Sequence, residues 1–118
     1  MKDPHVYLLA SAHRGTLYVG VTSDLVKRIW QHREGVAHGF TNRHRVKRLV
    51  WFERHSTMSE AIKREKGIKR WNRAWKLELI ETGNPDWRDL WDEIVGTRPD
   101  VVDVPEPEAE HGFPLSRE

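Results

Sequence analysis

Short blocks of apolar residues, separated by polar segments, predict three strands in the first half of the chain. Residues 5–11 and 17–22 are rich in apolar, aromatic and β-branched side chains, which favour half-buried strands. Because a short connection containing Gly15 joins them, we expect an antiparallel hairpin. Residues 47–54 form a third apolar run, which predicts a strand that is central in the sheet or covered on both faces.

Helical spacing begins directly after the second strand. Leu25 and Ile29 lie four residues apart and mark the buried stripe of a helix expected from Asp24 to about Glu34. Asp24 has a side-chain oxygen suited to capping the first turn, and Gly35 suits the position that follows the last turn. A strand, a turn and a capped helix therefore share one short segment.

Two longer helical segments and one shorter one follow the third strand. Thr57 and Glu60 have the spacing of a capping box, which predicts a helix start. A second amphipathic segment covers residues 74–81, and residues 86–91 predict a last short helix. The order β-β-α-β-α-α indicates an α/β fold, a small sandwich with a three-stranded antiparallel sheet flanked by helices.

Charge is distributed unevenly along the 118 residues. Residues 1–80 carry 17 basic and 7 acidic side chains, whereas residues 81–95 and 96–118 each have a net charge of −4. A basic body suggests a polyanionic partner, although a solvated surface of mixed charge is the alternative. We expect residues 1–95 to form one folded domain and the acidic, proline-containing residues 96–118 to be a disordered tail.

Composition excludes several classes of site. The chain has no cysteine, so disulfides and thiolate metal sites are excluded. No apolar run approaches the roughly 20 residues that a membrane-spanning helix needs, and residues 1–4 do not resemble the start of a signal peptide. We therefore expect a cytoplasmic protein with no membrane association.

Three polar side chains are placed around the corner between the second strand and the first helix. Tyr18 lies on the strand, while Arg28 and His32 lie four residues apart on one helix face. Gly20 separates them, and its missing Cβ permits tight backbone geometry or close approach of a ligand. A phenol, a guanidinium and an imidazole are thus expected near one another.

With these motifs the sequence resembles the GIY-YIG nuclease domain over roughly residues 4–82. It is most similar to compact, single-domain bacterial members related to the nuclease module of the excision-repair endonuclease. The first motif keeps its tyrosine but lacks the leading glycine. The segments that carry the resemblance are His5-Val6-Tyr7, Tyr18-Val19-Gly20, the run from Thr22 to His32, Phe40-Thr41, Glu60-Ala61-x-x-x-Glu65 and the run from Trp75 to Ile80.

The resemblance implies a role for each of five residues. Tyr18 would be the general base, a role that requires nearby positive charge because an ordinary phenol has a pKa of about 10. Arg28 would contact the phosphate through two donors. His32 and Tyr7 would orient water and phosphate by hydrogen bonds. Glu65 would hold a divalent cation, Mg²⁺ or alternatively Mn²⁺, together with waters and the phosphate.

The activity implied by the resemblance is metal-dependent hydrolysis of phosphodiester bonds in DNA, with structured DNA in repair or recombination as an expected setting and no small-molecule cofactor. The loop 40–45 could contact bases through Phe40. Basic residues would track the phosphates and make binding salt-dependent. The residues expected to do so are Lys47, Arg48, Lys63, Arg64, Lys69, Arg70 and Arg73.

Other interpretations remain open at this stage. Taken singly, each site residue is more typical of packing or of a surface ion pair. A nucleic-acid-binding module of the same fold without catalysis is therefore the main alternative, and binding of structured RNA is a third. Asn84 either belongs to the site or simply forms a turn, and His38 with His44 makes a poor metal site. Trp51, Trp71 and Trp75 are expected in the core.

Overall fold

The computed structural model describes residues 3–35 and 39–96. Three strands, β1 (His5–Ala10), β2 (Leu17–Thr22) and β3 (Arg48–Arg54), form one antiparallel sheet in the order β2-β1-β3. The predicted fold class and the hairpin are therefore confirmed. The helices are α1 (Leu25–Glu34), α2 (Phe40–Arg43), α3 (Met58–Arg70), α4 (Arg73–Gly83) and α5 (Trp91–Gly96).

The sheet is covered on both faces, because all six residues of β1 are buried. Alternate strand residues point to opposite faces, and the two hydrophobic clusters follow that alternation. Val6, Leu8 and Val19 pack with α3 and α4 on one face. Tyr7 and Leu9 pack with α1 and α5 on the other. We call these the α3 face and the α1 face of the sheet.

Local sequence explains where the main helices begin and end. The Asp24 carboxylate accepts from the backbone N–H of Lys27 at 3.2 Å, and Gly35 follows α1 with φ at +78°, where a side chain would be strained. The Thr57 hydroxyl accepts from the backbone N–H of Glu60 at 3.1 Å, so the predicted cap of α3 is present. These local contacts fix the entry of both helices into the sandwich.

β3 lies at an edge of the sheet, so the option that it is central was wrong, whereas coverage on both faces is correct. Its residues Leu49 and Val50 belong to opposite clusters. The segment 84–96, which we call the C-terminal strap, runs along this edge. The backbone N–H of Leu90 donates to the Leu49 carbonyl at 2.8 Å. The strap buries Trp87 against the α3 face and Leu90 against the α1 face.

A polar network joins the β1–β2 turn to α4 and the strap. Glu81 accepts from the Arg14 guanidinium at 2.8 and 3.0 Å and from the Trp87 indole N–H at 2.7 Å. The bonds from Arg14 and Trp87 lower the pKa of Glu81 to about 2. Trp87 has a φ of +58°, unusual for a side chain of this size. Its complete burial and its indole bond hold it there.

Four expectations need correction or fall outside the description. The segment 40–43 forms one turn of helix where the polar pattern predicted a loop. Trp75 is 56% exposed and Trp51 and Trp71 are only partly buried, so the core tryptophans are Trp30 and Trp87 instead. The tail expected at 96–118 lies outside the described residues, apart from Gly96 at the end of α5, as does His38.

No helix in the described part of the chain has the length and apolar character to cross a bilayer.

Candidate active site

A chain of hydrogen bonds on the α1 face joins β1, α1 and α2. The Tyr7 hydroxyl lies 3.0 Å from His32 Nε2, and His32 Nδ1 lies 3.2 Å from the Thr41 hydroxyl. All three side chains are buried. Since a neutral imidazole has one donor and one acceptor nitrogen, its two bonds couple the proton positions of Tyr7 and Thr41. The histidine is therefore held in one orientation beside the phenol.

Gly20 makes this position of Tyr7 possible. In the sheet Tyr7 pairs with Gly20, and a Cβ built on Gly20 would lie 2.4 Å from both Cζ and the hydroxyl of Tyr7. Such a distance is a severe overlap, so the phenol occupies the space that any other residue's side chain would take. The glycine of the second motif is thus required for packing of the first motif's tyrosine.

Tyr18 completes an aromatic cluster with these residues. It pairs with Leu9, which places it diagonally from Tyr7 on the same sheet face. Its ring centroid lies 6.4 Å from that of Tyr7 and 5.7 Å from that of His32. The expected approach of the two tyrosines is therefore present, through a diagonal pair. Tyr18 is partly buried, but the exposed part belongs to its ring, because its hydroxyl oxygen is itself buried.

Arg28 is a buried cation on the same helix as His32. It is 5% exposed, and one of its terminal nitrogens donates to the Gln31 side-chain oxygen at 2.9 Å. A guanidinium has five N–H donors in a fixed plane, and this bond uses one of them. Gln31 therefore orients the plane of the Arg28 guanidinium.

Glu65 comes from the other layer of the sandwich. It lies between Ala61 and Ile68 on the buried stripe of α3, and it is 4% exposed. Its carboxylate accepts from Lys69 Nζ at 2.6 Å, one helical turn away, while Lys69 itself is half exposed. An acid in an apolar stripe is unusual because burial penalises its charge. The helix that holds it packs against β1 and β2.

Comparisons with known proteins identify the family of this chain. The family model described as the GIY-YIG catalytic domain matches residues 3–78. The chain belongs to the GIY-YIG family. A UPF0213 protein of Staphylococcus saprophyticus is 40% identical over 81 residues, which are 69% of this chain and 99% of that protein. A UPF0213 protein of Staphylococcus epidermidis is 36% identical over the same shares.

A solved structure is also similar. The solution NMR structure of a UPF0213 protein from Bacillus halodurans has a TM-score of 0.48 and 26% identity, and the match covers 76% of this chain and 95% of that one.

Set against the GIY-YIG motifs, the structure brings four of the five predicted site residues together. Tyr7, Tyr18 and His32 form one aromatic cluster, and Arg28 lies one turn before His32 on α1. Glu65 comes from the helix on the α3 face, and its hydrogen-bonded contact is with Lys69. β2 carries Tyr18 on the α1 face of the sheet and contacts α3, the helix of Glu65, from the other face.

This GIY-YIG site offers a divalent cation one carboxylate. Among the described residues there is no group of three or more histidine, aspartate or glutamate side chains that could hold a metal. Mg²⁺ is commonly bound through one or two carboxylates together with waters and substrate phosphates. The buried Glu65 fits that donor set as its single protein ligand, provided that the ammonium group of Lys69 moves away.

The seven basic residues expected to contact nucleic acid come from the start of β3, from α3 and from α4. Lys47 and Arg48 lie at the start of β3, whereas Lys63, Lys69 and Arg70 are exposed on α3. Arg64 and Arg73, like Lys47, Arg48 and Lys69, make contacts within the protein. Arg64 pairs with Glu53 at 3.0 Å, and Arg73 donates to the carbonyls of Arg14 and Gly15 at 2.5 and 2.9 Å.

Asn84 has a structural role in this GIY-YIG chain. It is buried at the end of α4, where its side-chain amide donates to the carbonyls of Val50 and Arg88 at 3.2 and 2.9 Å. Its side-chain oxygen accepts from the backbone N–H of Arg88 at 3.0 Å. The bond to Val50 ties the strap to β3 and the two bonds with Arg88 close a turn within the strap, so the turn interpretation accounts for this residue.

Sequence reasoning missed two contributors to the site. Thr41 was noted only as part of a similar loop motif, and Gln31 was not singled out, yet Thr41 contacts His32 and Gln31 contacts Arg28. Helical spacing offers a clue to Gln31, because residues three apart on a helix are neighbours. Thr41 reaches His32 only through the path of the chain after α1, which no local pattern specifies.

Proposed function

We propose that this protein is a metal-dependent endonuclease that hydrolyses phosphodiester bonds in DNA. The observation that supports it best is the buried tyrosine–histidine–threonine hydrogen-bond chain beside a buried arginine. Binding nucleic acid requires exposed cations but no such chain, whereas hydrolysis requires groups that orient water and accept a proton. The GIY-YIG membership supplies the reaction class.

Each residue of the site has a defined part in the hydrolysis. Tyr18, acting as the phenolate, accepts a proton from the attacking water. Arg28 donates to the non-bridging oxygens of the scissile phosphate, where a rigid guanidinium fits two oxygens at once. The Tyr7 hydroxyl, fixed by His32, orients the water or the phosphate. Charge stabilisation by donors fixed in advance is commonly the largest part of such catalysis.

Glu65 would hold the divalent cation, Mg²⁺ or Mn²⁺. When bound, the cation supplies charge neutralisation at the phosphate and stabilisation of the leaving oxygen. The carboxylate's burial supports this role, since low exposure strengthens its interaction with any cation. When no cation is bound, the ammonium group of Lys69 pairs with the Glu65 carboxylate and compensates its buried charge.

The test is cleavage of labelled DNA in four forms: duplex, single strand, flap and four-way junction. Each is incubated with Mg²⁺, with Mn²⁺ or with chelator. We expect ion-dependent cutting that falls by at least about 100-fold in Tyr18→Phe and Glu65→Gln, the usual size of general-base and electrostatic contributions. Glu78→Gln, an exposed acid on α4, is the matched control and retains activity.

The competing interpretation is a binding module of the same fold. It predicts salt-sensitive DNA binding with no cutting of any form under any ion. Cutting that persists in both Tyr18→Phe and Glu65→Gln would also contradict the proposal, because the activity would then come from another site or another protein. The DNA form that is cut fastest would then indicate whether the activity serves DNA repair.

A further inference from the structure

A second group of charged residues surrounds a cavity beside the candidate active site. The cavity has a volume of about 330 Å³ and opens to solvent at the C-terminal end of α1. It lies within the size range of small-ligand sites. Four cations and two carboxylates line it: Arg33, Arg45, Lys47, Arg48, Glu34 and Asp89.

The cavity has a net positive charge that its own contacts do not cancel. Asp89 accepts from Arg33 at 2.6 Å and from the backbone N–H of Trp91 at 3.0 Å, so this acid is matched by one cation. Glu34 is exposed on the rim. Three cations therefore face one carboxylate, and an anion entering the cavity meets a net charge of about +2.

Three of the four cations are held in place by the fold, while Arg45 is exposed. Arg48 donates to the Trp87 carbonyl at 3.0 Å, which uses one of its five N–H donors. Lys47 Nζ lies 3.4 Å from the Arg33 carbonyl, at the end of α1. Arg33 also stacks on the Trp91 ring, with 5.0 Å from its guanidinium carbon to the ring centroid. Half-buried, pre-oriented donors lose less freedom on binding than mobile surface lysines.

The cavity and the candidate active site share their framework. Arg33 directly follows His32 on α1. Thr41, which contacts His32, is bonded through its carbonyl to the backbone N–H of Val46 at 2.8 Å, directly before Lys47. The strap supplies the remaining wall through Asp89. That wall lies beyond residues 3–78, which match the family, so the site depends on a segment outside the family match.

We propose that this cavity binds a backbone phosphate of the nucleic-acid substrate next to the one that is cleaved. This inference rests on the proposed function, because it takes the substrate to be a polynucleotide. The bound phosphate sits between Lys47, Arg45 and Arg48, and it fixes the register of the strand across the tyrosine–histidine cluster. Phosphate contacts of this kind position a strand without reading its sequence.

The experiment measures the affinity of the full chain for a DNA duplex in chelator at several salt concentrations, so that no cleavage occurs. One phosphate contact contributes about 0.9 to the slope of log K against log salt. We expect Arg45→Asn and Lys47→Gln each to reduce the slope by about 1. Arg45 has a φ of +56°, and asparagine tolerates that conformation, so this variant folds normally.

Two features make the result specific to one shared phosphate. For the double variant Arg45→Asn/Lys47→Gln we expect the slope of log K against log salt to fall by about 1 and not by 2, because both cations contact the same phosphate. Arg54→Gln, at the far end of β3, is the matched control and leaves the slope unchanged. An unchanged slope in Lys47→Gln, or an equal loss in Arg54→Gln, would overturn the inference.

A separate binding experiment shows whether the cavity binds a polynucleotide phosphate or a small phosphorylated ligand. Saturable binding of deoxyadenosine monophosphate that Lys47→Gln abolishes, with an unchanged DNA slope, would assign the cavity to a free nucleotide and overturn the inference. The cleavage panel decides the proposed function independently. Cutting with an unchanged slope removes only the cavity proposal, whereas a reduced slope without cutting removes only the catalytic one.

Discussion

Gly20→Ala tests the packing on which the candidate site depends. The added Cβ would lie 2.4 Å from the Tyr7 hydroxyl and Cζ, and Tyr7 is completely buried, so the ring cannot swing into open space. Overpacking of this kind costs typically 1–3 kcal/mol of unfolding free energy. For a domain of this size the melting temperature would fall by roughly 4–8 °C per kcal/mol. DNA cleavage should fall as well, since displacement of Tyr7 breaks its bond to His32.

Urea denaturation and thermal melting measure the effect, with Gly67→Ala as the control. Gly67 lies in α3 with nothing within 4 Å of a built Cβ, so alanine there is expected to stabilise by about 1 kcal/mol. In a Tyr7→Ala background the cost of Gly20→Ala should shrink, because the clashing ring is gone. Wild-type stability and cleavage in Gly20→Ala would refute the packing argument.

Three further predictions concern other contacts. Asn84→Ala removes the partners of three buried or partly buried backbone groups, and urea denaturation should show a loss of at least about 1–3 kcal/mol. Glu81→Gln should lower the melting temperature at pH 7, and the melting temperature of the variant should depend less on pH between pH 5 and pH 2. The reason is that the lowered pKa of Glu81 stabilises the fold above pH 4.5, and this stabilisation is lost as the pH falls to about 2. Lys69→Gln should lower the Mg²⁺ concentration needed for half-maximal cleavage, since the competing ammonium group is gone.

Each of these has an outcome that would contradict it. Stability within 0.5 kcal/mol of wild type in Asn84→Ala would show that water replaces the lost amide. A Glu81→Gln profile parallel to that of wild type in acid would mean that other carboxylates dominate the transition. An unchanged Mg²⁺ requirement in Lys69→Gln, with Lys66→Gln as the control, would place the cation away from Glu65.

Sequence patterns were sufficient for features that depend on neighbours in the chain. The caps at Asp24 and Thr57 and the glycine after α1 are local, and the structure has all of them where they were expected. Alternation and helical spacing also separated the three strands and the longer helices, but they missed α2 and placed the last short helix at 86–91, where the structure has it at Trp91–Gly96. Tyr18 and Arg28 were placed near one strand-to-helix corner because only a few residues separate them.

Features that depend on distant parts of the chain were harder to foresee. The position of β3 at an edge, the bond between Thr41 and His32 and the burial of Trp87 all depend on how separate elements dock. Trp75 shows the same limit, since its helical spacing is compatible with the core but its face of α4 is exposed. The stripe position of Glu65 was visible in the sequence, but its burial required the helix to be placed on the sheet.

The C-terminal strap bears on how this protein should be produced in fragments. A recombinant piece cut at residue 78, where the family match ends, would lack Leu90 and Ile94 from the core and leave the Leu49 carbonyl of β3 unpaired. An uncovered strand edge beside exposed apolar surface is a template for pairing between molecules. Such a piece should therefore precipitate or form inclusion bodies, while one that extends to residue 96 should stay in solution. The family match ends at residue 78, whereas the described hydrophobic core continues to Ile94.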